Sequence, residues 1–400
     1  MLRNLYILTQ RCILHHPSKN HAKFSHKSPV QFRLNTPADR LRFSDRVLST
    51  MNMYTPTRST PSLLVMLIAV CSLWGCASTD IRDSSVSSAP SVTPFDSEGT
   101  GYQYPYPVKY YKFESQRSDV RMAYLDVAPV GKSKDRTVVL LHGKNFGAFS
   151  WKTTIESLSK EGYRVIAPDQ IGFAKSSKPA AYQYSFQQLA ANTRALLESL
   201  GIDQSVIVGH SMGGMLATRY ALLYPEATEK LLLVNPIGLE DYSALLPART
   251  PDEWYAGELK QTPEGIRAYQ RKFYYDGAWK PEYEALTVLA SGMTQHPDFP
   301  VVAWTSALVY DMIVTQPVVH DFGRLRVPVR LVIGMRDKTA VGKPLAKPEV
   351  QATMGDYTQL GKITQQAIPG AELIEFPGIG HCPQIEAFPL WNKALLDFVK

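Results

Sequence analysis

The chain predicts an α/β fold: a mostly parallel sheet of eight strands with helices on both faces, interrupted by one helical insertion. Three observations point to it. Short runs rich in Val, Ile and Leu recur from residue 108 onward, and most are too uniformly apolar for strands with one face in water. Runs without Pro that mix Ala, Leu, Met and charged residues fall between them, and that alternation is the mark of a parallel sheet covered by helices. The stretch 108–400 holds about 300 residues, enough for one such domain with a full core and an insertion.

The strands are expected near Val108–Glu114, Arg121–Val127, Thr137–Leu141, Tyr163–Ala167, Ser205–Val208, Leu231–Asn235, Val329–Gly334 and Leu373–Phe376. Helices are expected over Phe186–Leu200, over Met212–Tyr224 and over Pro389–Val399. Between Asn235 and Val327 the alternation stops. Helix-like segments there carry many aromatics, Trp254, Tyr269, Tyr274, Trp304 and Tyr310 among them, which suit either a small core of their own or the wall of an apolar pocket. Thr339–Gly361, with its Gly and Pro, predicts a long loop.

One pentapeptide stands out chemically. Gly209-His210-Ser211-Met212-Gly213 joins a buried-type strand to a helix, the setting in which a sharp turn holds a serine hydroxyl out into a cleft beside the free N–H groups of the helix start. A side chain in place of either glycine would collide with the neighbouring strand or helix. Serine is a weak nucleophile at neutral pH, so Ser211 needs a base in hydrogen-bond reach and an acid that orients the base. In chains with this turn the three follow the order Ser, acid, His.

His381, in Gly378-Ile379-Gly380-His381-Cys382-Pro383, leaves the end of a strand and precedes the last helix, the place where α/β sheets gather reactive groups. His142 and His210 sit inside motifs and read as backbone buttresses; His296 and His320 read as surface or core residues. Asp337 leaves the strand Val329–Gly334 and is the candidate acid. Glu240 and Asp241, after the strand Leu231–Asn235, are its rivals. The strand Thr137–Leu141 runs into His142-Gly143, a turn that would offer the backbone N–H of Lys144; with the N–H of Met212 it would form an oxyanion hole. The Lys144 side chain is expected in solvent, with the pocket as the alternative.

The Gly209–Gly213 elbow, the His142-Gly143 turn, the segment Asp169-Gln170-Ile171-Gly172-Phe173-Ala174-Lys175-Ser176, Asp337 and His381 together resemble the α/β-hydrolase superfamily, and within it bacterial serine hydrolases with a helical cap. The resemblance runs from about residue 105 to the end. It implies the eight-stranded sheet, and a cap inserted over residues 238–326. It also implies a Ser211–His381–Asp337 triad cleaving an ester or related acyl bond of a small molecule through an acyl-enzyme, a carboxylesterase-like activity. Ser at the elbow disfavours dehalogenase and epoxide-hydrolase chemistry, which in this superfamily uses Asp. Cleavage of a C–C bond, lactone or amide by the same residues, or slow turnover in a ligand-binding receptor, stay open. Two departures stand in the motifs: Ala174 where a second Gly is usual, and Lys144-Asn145 after His-Gly. No Gly-rich loop follows a strand and no metal-ligand cluster is seen, so neither cofactor nor metal is expected.

The first part of the chain does not belong to this domain. Residues 51–75 combine Arg58, an apolar core from Leu63 to Val70, and Leu73-Trp74-Gly75 before Cys76. This is a signal-peptide pattern, with a core shorter than a comfortable membrane span. The ending resembles a bacterial lipoprotein signal, which implies lipid on Cys76 and an anchor in the bacterial cell envelope, on the periplasmic face. An ordinary signal peptide, with a secreted or soluble periplasmic product, or an uncleaved anchor are the alternatives. Residues 1–50 are expected to be a disordered or non-native leader, with the start at Met51 or Met53; a mitochondrial-type presequence is the rival. Residues 76–107, rich in Ser, Thr, Pro and Asp, are expected to be a flexible tether.

Charge separates leader from domain. The formal net charge is +7, and residues 1–75 carry ten Lys/Arg against Asp39 and Asp45, or +8, which leaves about −1 for the rest. The basic balance is the leader's, and nucleic acid is not an expected partner. Of Cys12, Cys71, Cys76 and Cys382, the last has no partner if Cys76 carries lipid, and it reads as a small apolar filler.

Overall fold

Eight strands form a single sheet in the computed structural model, which describes residues 92–400. In chain order they are β1 (Val108–Ser115), β2 (Ser118–Val127), β3 (Thr137–Leu141), β4 (Arg164–Pro168), β5 (Ser205–His210), β6 (Thr228–Val234), β7 (Val329–Gly334) and β8 (Glu372–Phe376). Their spatial order is β1-β2-β4-β3-β5-β6-β7-β8. Strand β2 is antiparallel to both neighbours, and every other pairing is parallel. The expected leader, signal segment, first part of the tether and Cys76 all lie outside the described residues.

Alternation along the central strands divides the core. Val139, Leu141, Ile207, Leu231, Leu233, Leu331 and Ile333 face one side, under α2 (Phe186–Ser199) and α3 (Met212–Leu223). Val138, Leu140, Val206, Val208, Leu232, Val234 and Val332 face the other, with Trp151, Trp391 and Phe398. There α1 (Lys152–Lys160) and the last helix cover the sheet. Every residue of β5 is buried. At about 1.5–3 kcal/mol for each large aliphatic side chain, this central strand holds the elbow rigidly.

Six helices separate β6 from β7: α4 (Tyr242–Leu245), α5 (Pro251–Glu258), α6 (Pro263–Phe273), α7 (Pro281–Ala285), α8 (Val288–Met293) and α9 (Phe299–Thr315). This is the cap. Proline in the first turn starts α5, α6, α7 and α9, where its missing N–H costs nothing. Thr250 and Glu253 close a capping box on α5.

Three local features differ from the sequence expectation. The β1–β2 hairpin is longer, turning on Gln116 and Arg117, both at positive φ (51° and 61°), a pair without the usual Asn-Gly signal. Strand β6 starts earlier, because the polar Thr228 and Lys230 pair with β5. The loop expected over Thr339–Gly361 contains α10 (Pro348–Thr353) and the start of α11 (Tyr357–Ala367), which buries Tyr357, Leu360 and Thr364 and is capped by Asp356. After β8, α12 (Pro383–Glu386) and α13 (Phe388–Val399) complete the chain.

The tether is corrected over 92–107, which is packed. Phe95 is buried, and its N–H donates to the Gly292 carbonyl at 3.1 Å. Tyr102 meets Phe95, Tyr104 and Phe149 edge to face at 5.4–5.8 Å. The Tyr104 hydroxyl donates to Asp169 Oδ2 at 2.6 Å. Averaged composition hid these three aromatics, each of which has enough apolar body to order its segment.

Candidate active site

The elbow is built by close approach. A Cβ on Gly209 would stand 2.2 Å from the Gly213 carbonyl oxygen, and one on Gly213 would stand 2.2 Å from that of Leu141, so neither position admits a side chain. Between them Ser211 takes φ 56° and ψ −122°, a conformation costing on the order of 1–3 kcal/mol that the flanking strand and helix impose. Its carbonyl accepts from the N–H groups of Gly214 (2.9 Å) and Ile237 (3.2 Å). The side chain sits at the C-terminal end of β5 and is 5% exposed.

His381 follows β8 and Asp337 follows β7, at the same end of the sheet. The two are fully buried and joined, with His381 Nδ1 2.6 Å from Asp337 Oδ2. Among the described residues nothing bonds the other ring nitrogen, Nε2, which is buried. With Nδ1 donating to the carboxylate, Nε2 carries the lone pair a base requires. The loop returns to the elbow through His210, whose Nε2 lies 2.9 Å from the His381 carbonyl oxygen and whose ring is 4.9 Å from the His381 ring. Burial, with His381 alongside, holds His210 well below the usual imidazole range, so it acts as a neutral buttress.

The acid is held by more than the histidine. Asp337 Oδ1 accepts from the Thr339 N–H at 2.8 Å, and Oδ2 accepts from Asn235 Nδ2 at 2.9 Å. Asn235, at the end of β6 with φ 36°, also accepts from the Gly334 N–H at 2.8 Å, tying the ends of β6 and β7 together. In sequence it marks only a strand end. Its positive φ, which Asn tolerates better than most residues, gave no signal beyond that. The rival acids are elsewhere: Asp241 caps α4 and pairs with the exposed His320 at 2.8 Å, and Glu240 accepts from the Gly355 N–H.

The His142-Gly143 turn lies directly against the elbow, a Cβ on Gly143 falling 3.0 Å from the Cβ of Ser211. The turn closes through the Phe146 N–H and the Gly143 carbonyl (3.0 Å), and no acceptor of the turn takes the Lys144 N–H. The N–H of Met212 opens α3, where a helix leaves its first donors unpaired. His142 holds the turn: Nδ1 lies 2.9 Å from the Gly143 carbonyl oxygen, and Nε2 accepts from the Gln170 N–H at 3.1 Å. Burial lowers its pKa. Ala174 takes φ 42°, where the usual Gly would sit without strain.

The Lys144 side chain is not in solvent. It points into the cap, with Nζ donating to Ser306 Oγ at 2.6 Å, 3.6 Å from Glu258 Oε2 and 3.6 Å from the centre of the Tyr310 ring. Ser306 Oγ in turn donates to Glu258. Burial lowers the Lys144 pKa against the pull of Glu258. Neighbouring Asn145 Nδ2 donates to the Tyr274 hydroxyl at 2.8 Å.

Tyr274, at the end of α6, packs against His381. Its ring lies 4.5 Å from the His381 ring, tilted by 31°, and its carbonyl accepts from the His381 N–H at 3.4 Å. In sequence it was one aromatic among many. Cys382 is buried beside it and burial pushes its thiol well above the usual range, as suits a filler. A cavity of about 160 Å³ opens under α5, α6, α8 and α9. Ser211 and His381 do not line it; it meets the site at the Lys144–Phe146 turn.

Comparison with known proteins agrees with the fold. Residues 136–275 match the model of the alpha/beta hydrolase fold family. The crystal structure of a probable hydrolytic enzyme from Pseudomonas aeruginosa PAO1 is 54% identical, with 77% of this chain and 99% of that one covered and a TM-score of 0.76. A 2-hydroxy-6-oxononadienedioate/2-hydroxy-6-oxononatrienedioate hydrolase of Paraburkholderia phymatum is 27% identical over 73% of this chain and 95% of its own. Lipase 1 of Psychrobacter immobilis is 26% identical over 70% and 84%.

Proposed function

Because the chain belongs to the α/β-hydrolase family, we propose that it is a serine hydrolase acting on an ester or related acyl bond of a small molecule. The observation that carries this reading is the buried His381–Asp337 pair, with a free Nε2, beside a strained serine elbow. His381 Nε2 takes the proton of Ser211 as Oγ attacks the carbonyl, and Asp337 stabilises the imidazolium and fixes its tautomer. The N–H groups of Lys144 and Met212 receive the oxyanion, each lowering the barrier by roughly 3 kcal/mol. His381 returns the proton to the leaving group, and water repeats the sequence to free the acid. His210 and Asn235 position the base and the acid and touch no reacting atom.

The test is labelling and turnover. A fluorophosphonate probe is expected to modify Ser211, and Ser211→Ala is expected to lose hydrolysis of a nitrophenyl acyl ester by at least about a thousandfold. Retained turnover in the alanine variant, or a label mapped to another residue, would overturn the assignment. A second reading, hydrolysis of a C–C bond by the same residues, is favoured by the likeness to the 2-hydroxy-6-oxononadienedioate hydrolase. Lactones and amides belong in the same substrate panel. The motif at Leu73–Cys76 supports a further part of the reading, that the protein is held at the bacterial envelope by lipid on Cys76.

A further inference from the structure

The cavity beside the oxyanion turn is mostly hydrocarbon, walled by Phe146, Phe173, Met293, Phe299, Val302 and Val309. Its polar groups differ in kind. Lys144, Ser306 and Glu258 are engaged with one another. Gln270 is not. It lies on α6 among exposed residues, yet is itself only 1% exposed, and among the described residues neither Oε1 nor Nε2 has a hydrogen-bond partner. A buried amide with both atoms unanswered is uncommon, because each group loses its water without return. An aliphatic side chain would fill the position at no such cost.

The carboxamide of a glutamine offers an acceptor and a donor side by side. Its two-point complement is a neutral group that presents a donor and an acceptor in the same way, as a primary carboxamide or a lactam does. A mostly apolar wall with a few polar groups is the usual design of a small-molecule site, and Gln270 is the lining residue whose carboxamide is unanswered at both atoms. Lys144, whose N–H is assigned to the oxyanion, lines the same cavity as Gln270, so a substrate with its carbonyl at Ser211 can extend its remaining length into the space that Gln270 borders.

We propose that Gln270 sets substrate class: the acyl chain that fits this cavity is apolar along its length and carries a carboxamide or lactam group that pairs with the Gln270 side chain. The proposal rests on the serine-hydrolase reading for its chemistry, and its test separates the two. In the full chain, kcat/KM is measured for nitrophenyl esters of a series of chain lengths, each made in two forms, one ending in a primary carboxamide and the other in an isopropyl group of nearly the same shape. At the chain length that reaches Gln270, the carboxamide ester is expected to be preferred by about tenfold or more, since a site built to hydrogen-bond rejects a partner that leaves it unpaired. In Gln270→Leu the ratio is expected to fall to about one or below.

An isopropyl preference at every length in the native protein, or a carboxamide preference unchanged by Gln270→Leu, would overturn the proposal while leaving ester hydrolysis established. If neither series is hydrolysed, the hydrolase reading fails, and the same ratio is then read as Kd by calorimetry with Ser211→Ala. Equal affinities there would overturn the pocket assignment too. The native-protein ratio needs no variant, so poor folding of Gln270→Leu does not shield the proposal.

Discussion

Replacing Glu258 by glutamine keeps the shape of the cap and removes one charge from the partner of Lys144. The pair is nearly enclosed, with side-chain exposures of 12% and 13% and a separation of 3.6 Å. At an effective dielectric of about 20, that separation corresponds to an attraction of roughly 4–5 kcal/mol. The ammonium would keep Ser306 and the face of Tyr310, which offset part of the loss. A net destabilisation of about 3 kcal/mol follows, at the lower end of what is found when one partner of a buried pair is removed. For a folded unit of about 300 residues this corresponds to a fall in Tm of about 5 °C.

Thermal unfolding followed by circular dichroism, on Glu258→Gln, Lys144→Met and the double variant, provides the measurement. The double variant is expected to recover most of the loss, because the unpaired cation is then gone. The penalty in Glu258→Gln should also shrink as pH rises. Burial already lowers the Lys144 pKa, and without Glu258 it falls further, so the folded protein sheds the proton while the unfolded chain still holds it. A Tm change under about 1 °C, or a double variant as unstable as the two single losses combined, would refute this account.

Lys178, buried with Nζ donating to the carbonyls of Ala174 and Ser176, has a pKa lowered by burial to about 8. Below about pH 8 both states hold its proton; between about 8 and 10.5 only the unfolded chain does, so this residue makes stability climb by up to about 3 kcal/mol across that window. Urea unfolding of Lys178→Met against the native protein from pH 7.5 to 9.5 should show the climb in the native protein alone; parallel slopes would rule it out. For the envelope anchor, metabolic labelling with an alkyne fatty acid is expected to mark the native chain and not Cys76→Ala, with the label and the membrane fraction lost together. Equal labelling of both would remove Cys76 from the account.

Much of the fold could be read because the central strands are buried on both faces. Thr137–Leu141 and Val329–Gly334 are continuous apolar runs with sharp ends, and both appear with the expected bounds. The elbow is legible for a related reason, since its two glycines and its serine fall within one pentapeptide. What escaped was set through space. Asn235, Tyr274 and Gln270 gain their significance from partners, or from the lack of them, far along the chain. Lys144 looked like a surface lysine because lysine usually is one, and only the seating of α5 and α9 encloses it. Average composition alone misses the order of segment 92–107, which rests on Phe95, Tyr102 and Tyr104.

That segment bears on how the lid can move. Phe95, thirteen residues before β1, hangs from the backbone of α8, and by Tyr104, which docks on Asp169, the chain has crossed from lid to sheet. An outward swing of α8 would have to peel Phe95 away, just as one of α5 would part Glu258 from Lys144 and one of α6 would part Tyr274 from Asn145 and His381. The smallest portion of the chain that keeps its lid seated therefore begins well before its first strand.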